Sequence, residues 1–155
     1  MEKRKFTNRI PLIIDSNIII ASMRSRGITR KIFFSAKLQK CFNLITLDFC
    51  FEEIWKYRNR WNTLNLPDDD LIKILDFFFK EKVQIYSTGI IQPQILKSYE
   101  IMKHIDEKDT PILALALSTQ GIIWSNDSHL KKQKKVICFN TKELKKLLKI
   151  NNNGV

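Results

Sequence analysis

Apolar and polar positions alternate along the chain in two kinds of block. Short, largely β-branched runs read as buried strands: Ile10-Pro11-Leu12-Ile13-Ile14, Asn43-Leu44-Ile45-Thr46, Val83-Gln84-Ile85-Tyr86, Ile122-Ile123-Trp124-Ser125 and Val136-Ile137-Cys138-Phe139. Stretches with helical spacing lie between them. Gly27 and Thr29 introduce one that runs to about Lys40, and Asp48 is placed to cap another running to about Arg60. Leu66-Pro67-Asp68 starts a third, to about Glu81, with Leu71, Leu75 and Phe78 on one face. Pro93 suits the first turn of a helix to about Lys103. Ile112 to Gln120, opened by Asp109-Thr110-Pro111, is apolar nearly all round, which predicts a buried helix ended by Gly121. The last helix, Thr141 to Lys149, sets Leu144, Leu147 and Leu148 against four lysines.

Strands that alternate with helices predict a three-layer α/β/α fold around a central, mostly parallel sheet of about five strands. With no repeats, linkers or low-complexity blocks, residues 1–150 read as a single domain and 151–155 as a tail that frays. In such sheets ligands bind at the carboxyl ends of the strands. The residues just after each strand are therefore the ones that matter.

Two of those positions carry acids, Asp15 after the first strand and Asp127 after the fourth, and Asp109 opens the buried helix leading into the fourth. A further acid comes from the helix after the second strand. At about 100° per residue, Cys50, Ile54, Tyr57 and Trp61 define its core face; Glu53 falls beside that face and Glu52 almost opposite. Glu53 is thus the acid that looks inward, and Glu52 is solvated. Each acid alone has an ordinary use, as a turn residue, a helix cap or a boundary ion pair. All four together argue for a site. Carboxylates brought close repel one another unless some stay protonated or a cation intervenes. Oxygen ligands without His or Cys favour Mg²⁺ or Mn²⁺ over zinc.

Composition narrows the alternatives. Four Gly and four Pro leave no G-x-G-x-x-G and no phosphate-binding P-loop. Three cysteines (Cys41, Cys50, Cys138), none in C-x-x-C spacing, and two histidines, His104 and His129, exclude a zinc site. Neither histidine belongs to a nucleophile motif. Free, buried thiols indicate a reducing compartment, and the longest apolar run of the basic N-terminal part, Ile18 to Ala21, is too short for a signal or a membrane span. The expectation is a cytoplasmic protein with no membrane partner. Twenty-seven basic against sixteen acidic residues, net +11, point to a polyanion, nucleic acid first.

The order Ile13-Ile14-Asp15-Ser16-Asn17, Glu53-Ile54, Asp106-Glu107-Lys108-Asp109-Thr110-Pro111 with Ala114-Leu115-Ala116-Leu117, and Ile123-Trp124-Ser125-Asn126-Asp127 resembles the PIN-domain family, which includes the VapC-type ribonuclease toxins. The resemblance spans about residues 10 to 148. It implies that Asp15, Glu53, Asp109 and Asp127 are the acidic metal-site residues, holding Mg²⁺ or Mn²⁺. Ser125 matches a small hydroxyl residue that orients an acid or a water, with Asn17 in a supporting place. Asp106 is a rival for Asp109. The implied reaction is metal-assisted hydrolysis of RNA phosphodiesters, leaving 5′-phosphate and 3′-hydroxyl ends. An antitoxin partner is implied as well.

An acid-lined cleft needs cations around it to attract RNA. Arg24, Arg26, Arg30, Lys31, Lys37 and Lys40 lie between Asp15 and Asp48 with no acid among them, and Lys131, Lys132, Lys134 and Lys135 follow Asp127. Arg24, Arg26, Arg30, Lys31, Lys131 and Lys132 are the expected phosphate contacts. The lysines of the last helix are equally a solvated face. Phe77-Phe78-Phe79 cannot all point inward, which suggests a homodimer or antitoxin contact, or a crowded core edge. Trp55, Tyr57 and Trp61 offer either base stacking or core packing. The leading expectation is a metal-dependent endoribonuclease, the toxin of a toxin–antitoxin pair. A non-catalytic RNA-binding module of the same fold and a structure-specific DNA nuclease are the alternatives.

Overall fold

The computed structural model describes residues 9–24 and 27–151, and for 78–80 the backbone alone. Five parallel strands form one sheet: β1 (Ile10–Ile14), β2 (Phe42–Leu47), β3 (Gln84–Tyr86), β4 (Ile122–Trp124) and β5 (Cys138–Phe139), in the order β3-β2-β1-β4-β5. The chain moves outward from β1 through β2 to β3, then crosses back to lay β4 on the other side of β1. Right-handed crossovers in opposite directions put their helices on opposite faces. One face carries α1 (Ser16–Arg24), α2 (Ile28–Phe33), α3 (Ala36–Cys41), α4 (Phe49–Lys56), α5 (Arg58–Trp61) and α6 (Asp68–Lys82). The other carries α7 (Gln92–Met102) and α8 (Thr110–Thr119), packed on each other, with α8 against β1, β2 and β4. The C-terminal α9 (Thr141–Leu147) returns to pack on α2.

The core follows the apolar runs. Leu12, Ile13, Ile14, Leu44, Ile45, Ile123 and Trp124 of the sheet are sealed between Ile18 and Ile19 of α1 and Leu113 to Ala116 of α8. Gly121 lets α8 close onto the sheet: a Cβ there would meet Pro11 O at 2.6 Å and Ile13 Cδ1 at 2.7 Å. Gln120, not Gly121, supplies the left-handed turn that ends α8, at φ 56°, while the Gly121 N–H closes on Ala116 O.

Several expectations need correction. Ser16–Arg24, whose residues carry no helical signal, is the first helix, and Ile18, Ile19 and Ile20 are all buried. The stretch expected to run from about Thr29 to Lys40 is two helices, because Ser35 caps the second by accepting the Leu38 N–H. The stretch after Asp48 breaks at Tyr57, and Asp48 sits at its start without a side-chain capping bond. Leu147 is exposed, unlike Leu144 and Leu148, because the buried face is centred on Thr141, Leu144 and Leu148 and Leu147 falls about 90° from that centre at about 100° per residue. Cys41 is exposed rather than buried. Phe77 is exposed, whereas the side chains of Phe78 and Phe79 lie outside the described residues, as do Arg26 and 152–155.

Candidate active site

β1 and β4 are neighbours in register, with Ile14 opposite Trp124, so the residues that follow them emerge side by side. This is where the strand order reverses direction, the place at which a doubly wound sheet opens a crevice. Asp15 follows β1 and is only 8% exposed. Its Oδ2 accepts a hydrogen bond from Ser125 Oγ at 2.9 Å, and the Asn17 backbone N–H also donates to its carboxylate. Burial nevertheless raises the Asp15 pKa, with the Glu53 charge adding to the effect.

Ser125 is 1% exposed and works in both directions, since its oxygen also accepts the Asp127 N–H at 3.0 Å. Ser16 plays the matching part on the other side. Its hydroxyl lies 2.7 Å from Glu53 Oε1 and 3.3 Å from Asp15 Oδ1. Two buried hydroxyls thus string Glu53, Asp15 and Asp127 along one sheet edge. Glu53 reaches it from α4 on the side turned to the core, while Glu52 is exposed.

Asp109 stands at the start of α8 but makes no capping bond. Its Oδ2 is buried and accepts no hydrogen bond among the described residues, with the Asp127 carboxyl within hydrogen-bonding reach of the Asp109 carboxyl. Desolvation, then the charges of Asp127, Asp15 and Asp106, push its carboxyl up to about 7. Asp106 uses one oxygen to accept the Lys108 N–H and turns the other toward His129, 3.3 Å from Nδ1. That nitrogen is also 3.4 Å from Asp127 Oδ1. Asp106, Asp109, Asp127 and His129 each offer a ligand atom within 4.8 Å of all the others.

All four acids singled out from the sequence therefore gather at one edge, and Asp106 joins Asp109 instead of replacing it. Asn17 contributes its backbone, while its side chain is exposed. Two residues were missed. Ser16 had a signal, a hydroxyl directly after the strand-ending acid. His129 had none, because its partners lie on other segments or two residues away.

The chain from Ile13 to Leu147, residues 13–147, matches the family model of the PIN domain. The chain belongs to the PIN-domain family. Solved structures agree on the fold. A chain from the crystal structure of VapBC2 from Rickettsia felis, bound to a DNA fragment from their promoter, superposes with TM-score 0.68 at 12% identity, covering 84% of this chain and 98% of that one. PAE2754 from Pyrobaculum aerophilum superposes with TM-score 0.57 at 13% identity, covering 96% of each chain. No curated protein matches in sequence. In this PIN domain, no described helix is long and apolar enough to cross a membrane.

The basic residues are distributed unevenly about the PIN-domain acids. Arg24 ends α1, about 12 Å along the helix axis from Ser16. With Arg30 it lines a cavity of about 420 Å³ beside Trp61, Leu64 and Leu66. Lys131 is ion-paired with Glu143. Lys31 and Lys132 are exposed. Trp61 is a core residue, donating its Nε1–H to Ile54 O at 3.1 Å. Tyr57 and Trp55 are half-buried, with the guanidinium groups of Arg60 and Arg58 over their rings at 4.4 and 4.6 Å.

Proposed function

We propose that this PIN domain is a metal-dependent endoribonuclease acting as the toxin of a toxin–antitoxin pair in the cytoplasm. The observation that carries the reading is Asp109: a buried carboxylate oxygen that no described donor reaches, set against the carboxyls of Asp127 and Asp106, on a carboxyl raised to about 7. Clustered acids with a buried oxygen that no donor reaches fit a divalent cation, and their hard oxygen donors fit Mg²⁺ or Mn²⁺. Asp15, Glu53, Asp109 and Asp127 would hold it. A bound divalent ion supplies a water of lowered pKa and offsets charge on the leaving 3′ oxygen.

The chain's own groups do the rest. Ser125 fixes the Asp15 carboxylate and the Asp127 backbone in one geometry, and Ser16 keeps Glu53 beside them. At neutral pH the Asp109 carboxyl holds a proton part of the time and gives it up as cations bind. The net charge of +11 favours a polyanionic substrate, with Arg24, Arg30, Lys31 and Lys132 as phosphate contacts. The fold likeness to a chain of VapBC2 supports an antitoxin as partner.

The test is cleavage of single-stranded RNA and single-stranded DNA by the purified chain with Mn²⁺, with Mg²⁺ and with EDTA. RNA cleavage that EDTA abolishes, and that Asp15→Asn lowers by orders of magnitude, supports the reading. Metal-independent RNA binding without cleavage, or cleavage of DNA alone, overturns it.

A further inference from the structure

We infer that His129 is a nitrogen ligand of the divalent ion, so that the centre is a mixed carboxylate–imidazole site which favours Mn²⁺ over Mg²⁺. This rests on the metal-centre reading above and deepens it.

The ring is held where a ligand is needed. Asp127 Oδ1 accepts the His129 backbone N–H at 2.9 Å, which folds the chain back over the acid. Leu130, the next residue, is completely buried and anchors the turn. Nδ1 is thereby directed at Asp106 Oδ2 and Asp127 Oδ1, at 3.3 and 3.4 Å. Both separations exceed those of a short charge-assisted hydrogen bond. A ring nitrogen of His129 also lies within 4.8 Å of an Asp109 oxygen, and the buried Asp109 Oδ2 accepts no hydrogen bond from any described donor, its neighbour being the Asp127 carboxyl. Three carboxylates and one imidazole thus converge from two segments, the Asp106–Asp109 turn before α8 and the Asp127–His129 turn after β4.

The donor set decides the metal. Mg²⁺ prefers oxygen ligands in near-ideal octahedral geometry and keeps several waters. An imidazole nitrogen adds affinity for Mn²⁺ and later first-row ions more than for Mg²⁺. Asp106, which caps its own turn, sits at the edge of the set and fixes the ring as much as it serves the ion.

The chain has only two histidines, and His104 is exposed beyond α7. Pulsed electron paramagnetic resonance of Mn²⁺ added to the untagged full chain therefore reads the assignment directly. Modulation from a directly bound ¹⁴N is expected in the wild type and in His104→Gln. It is expected to vanish in His129→Gln, with Mn²⁺ binding weaker by about tenfold or more and an unchanged circular dichroism spectrum. Wild-type protein that binds Mn²⁺ without this modulation overturns the role of His129 and leaves the acidic centre standing. Modulation that survives in His129→Gln does the same. Mn²⁺ binding no tighter in the wild type than in Asp109→Asn overturns the metal-centre reading, and the inference with it. The wild type and His104→Gln suffice even if the His129 variant does not fold.

Discussion

Ser125 Oγ donates to Asp15 Oδ2 at 2.9 Å across 110 positions of sequence, joining the ends of two strands that meet only in the folded sheet. The same oxygen takes the Asp127 N–H, so one buried hydroxyl sets the spacing of two acids. Ser125→Ala leaves the part-buried Asp127 N–H and the buried Asp15 carboxylate without that partner. The expected cost is about 1–3 kcal/mol of stability, and RNA cleavage falls about tenfold or more. Chemical denaturation and initial cleavage rates check both. An unchanged rate would remove Ser125 from the site.

Glu53 and Glu52 are adjacent yet face opposite ways, and only Glu53 meets Ser16. Glu53→Gln is expected to lower RNA cleavage by about tenfold or more. Glu52→Gln, on the exposed face, should move stability by no more than about 0.5 kcal/mol and leave the rate unchanged. Equal effects on the rate would contradict the orientation of α4.

Asp109 gives the metal-free protein a defined pH dependence. Its carboxyl titrates at about 7 in the folded chain and at about 3.9 when unfolded. The folded state therefore holds a proton that the unfolded state has already lost. The associated stability is complete below about pH 4 and is lost as pH rises to about 7, above which the curve is flat. From about pH 5 to about pH 7.5 these two values correspond to about 2.5 kcal/mol; solvent screening of the half-buried carboxyl reduces this, so the wild type should lose about 1–2 kcal/mol more than Asp109→Asn, several degrees in Tm. Adding Mn²⁺ at the higher pH should restore the wild type and not the variant. Parallel curves for the two proteins would contradict the assignment.

Gly121 has no room for a side chain. Its nearest neighbours are a backbone carbonyl, Pro11 O, and a core methyl, Ile13 Cδ1, so neither yields easily. Gly121→Ala is expected to destabilise by about 1–3 kcal/mol, as a lower denaturant midpoint. A midpoint equal to that of the wild type would mean that α8 sits farther from β1 than 2.6 Å allows.

Much of this architecture is legible in the order of residues, because strands buried on both faces announce themselves as β-branched runs and end in polar residues. Asp15 and Asp127 stand out for that reason, Glu53 is separated from Glu52 by helical spacing, and Ser125 is singled out by the family resemblance. α1 was not visible: Ile18-Ile19-Ile20 is as β-branched as any strand, and its helical form is supported by packing against α2, α4 and α5. The break at Ser35 did carry a signal, a serine three residues before the Leu38 N–H that it caps. His129 could not be read from its neighbours, since its role depends on Asp106, which the fold delivers from another segment.

The most direct measurement is anomalous scattering from a crystal of the chain soaked in Mn²⁺. A peak is expected bounded by the carboxylates of Asp109 and Asp127, in the crevice between the ends of β1 and β4. A fully soaked crystal with no peak there, or with manganese bound only at another surface, would contradict it.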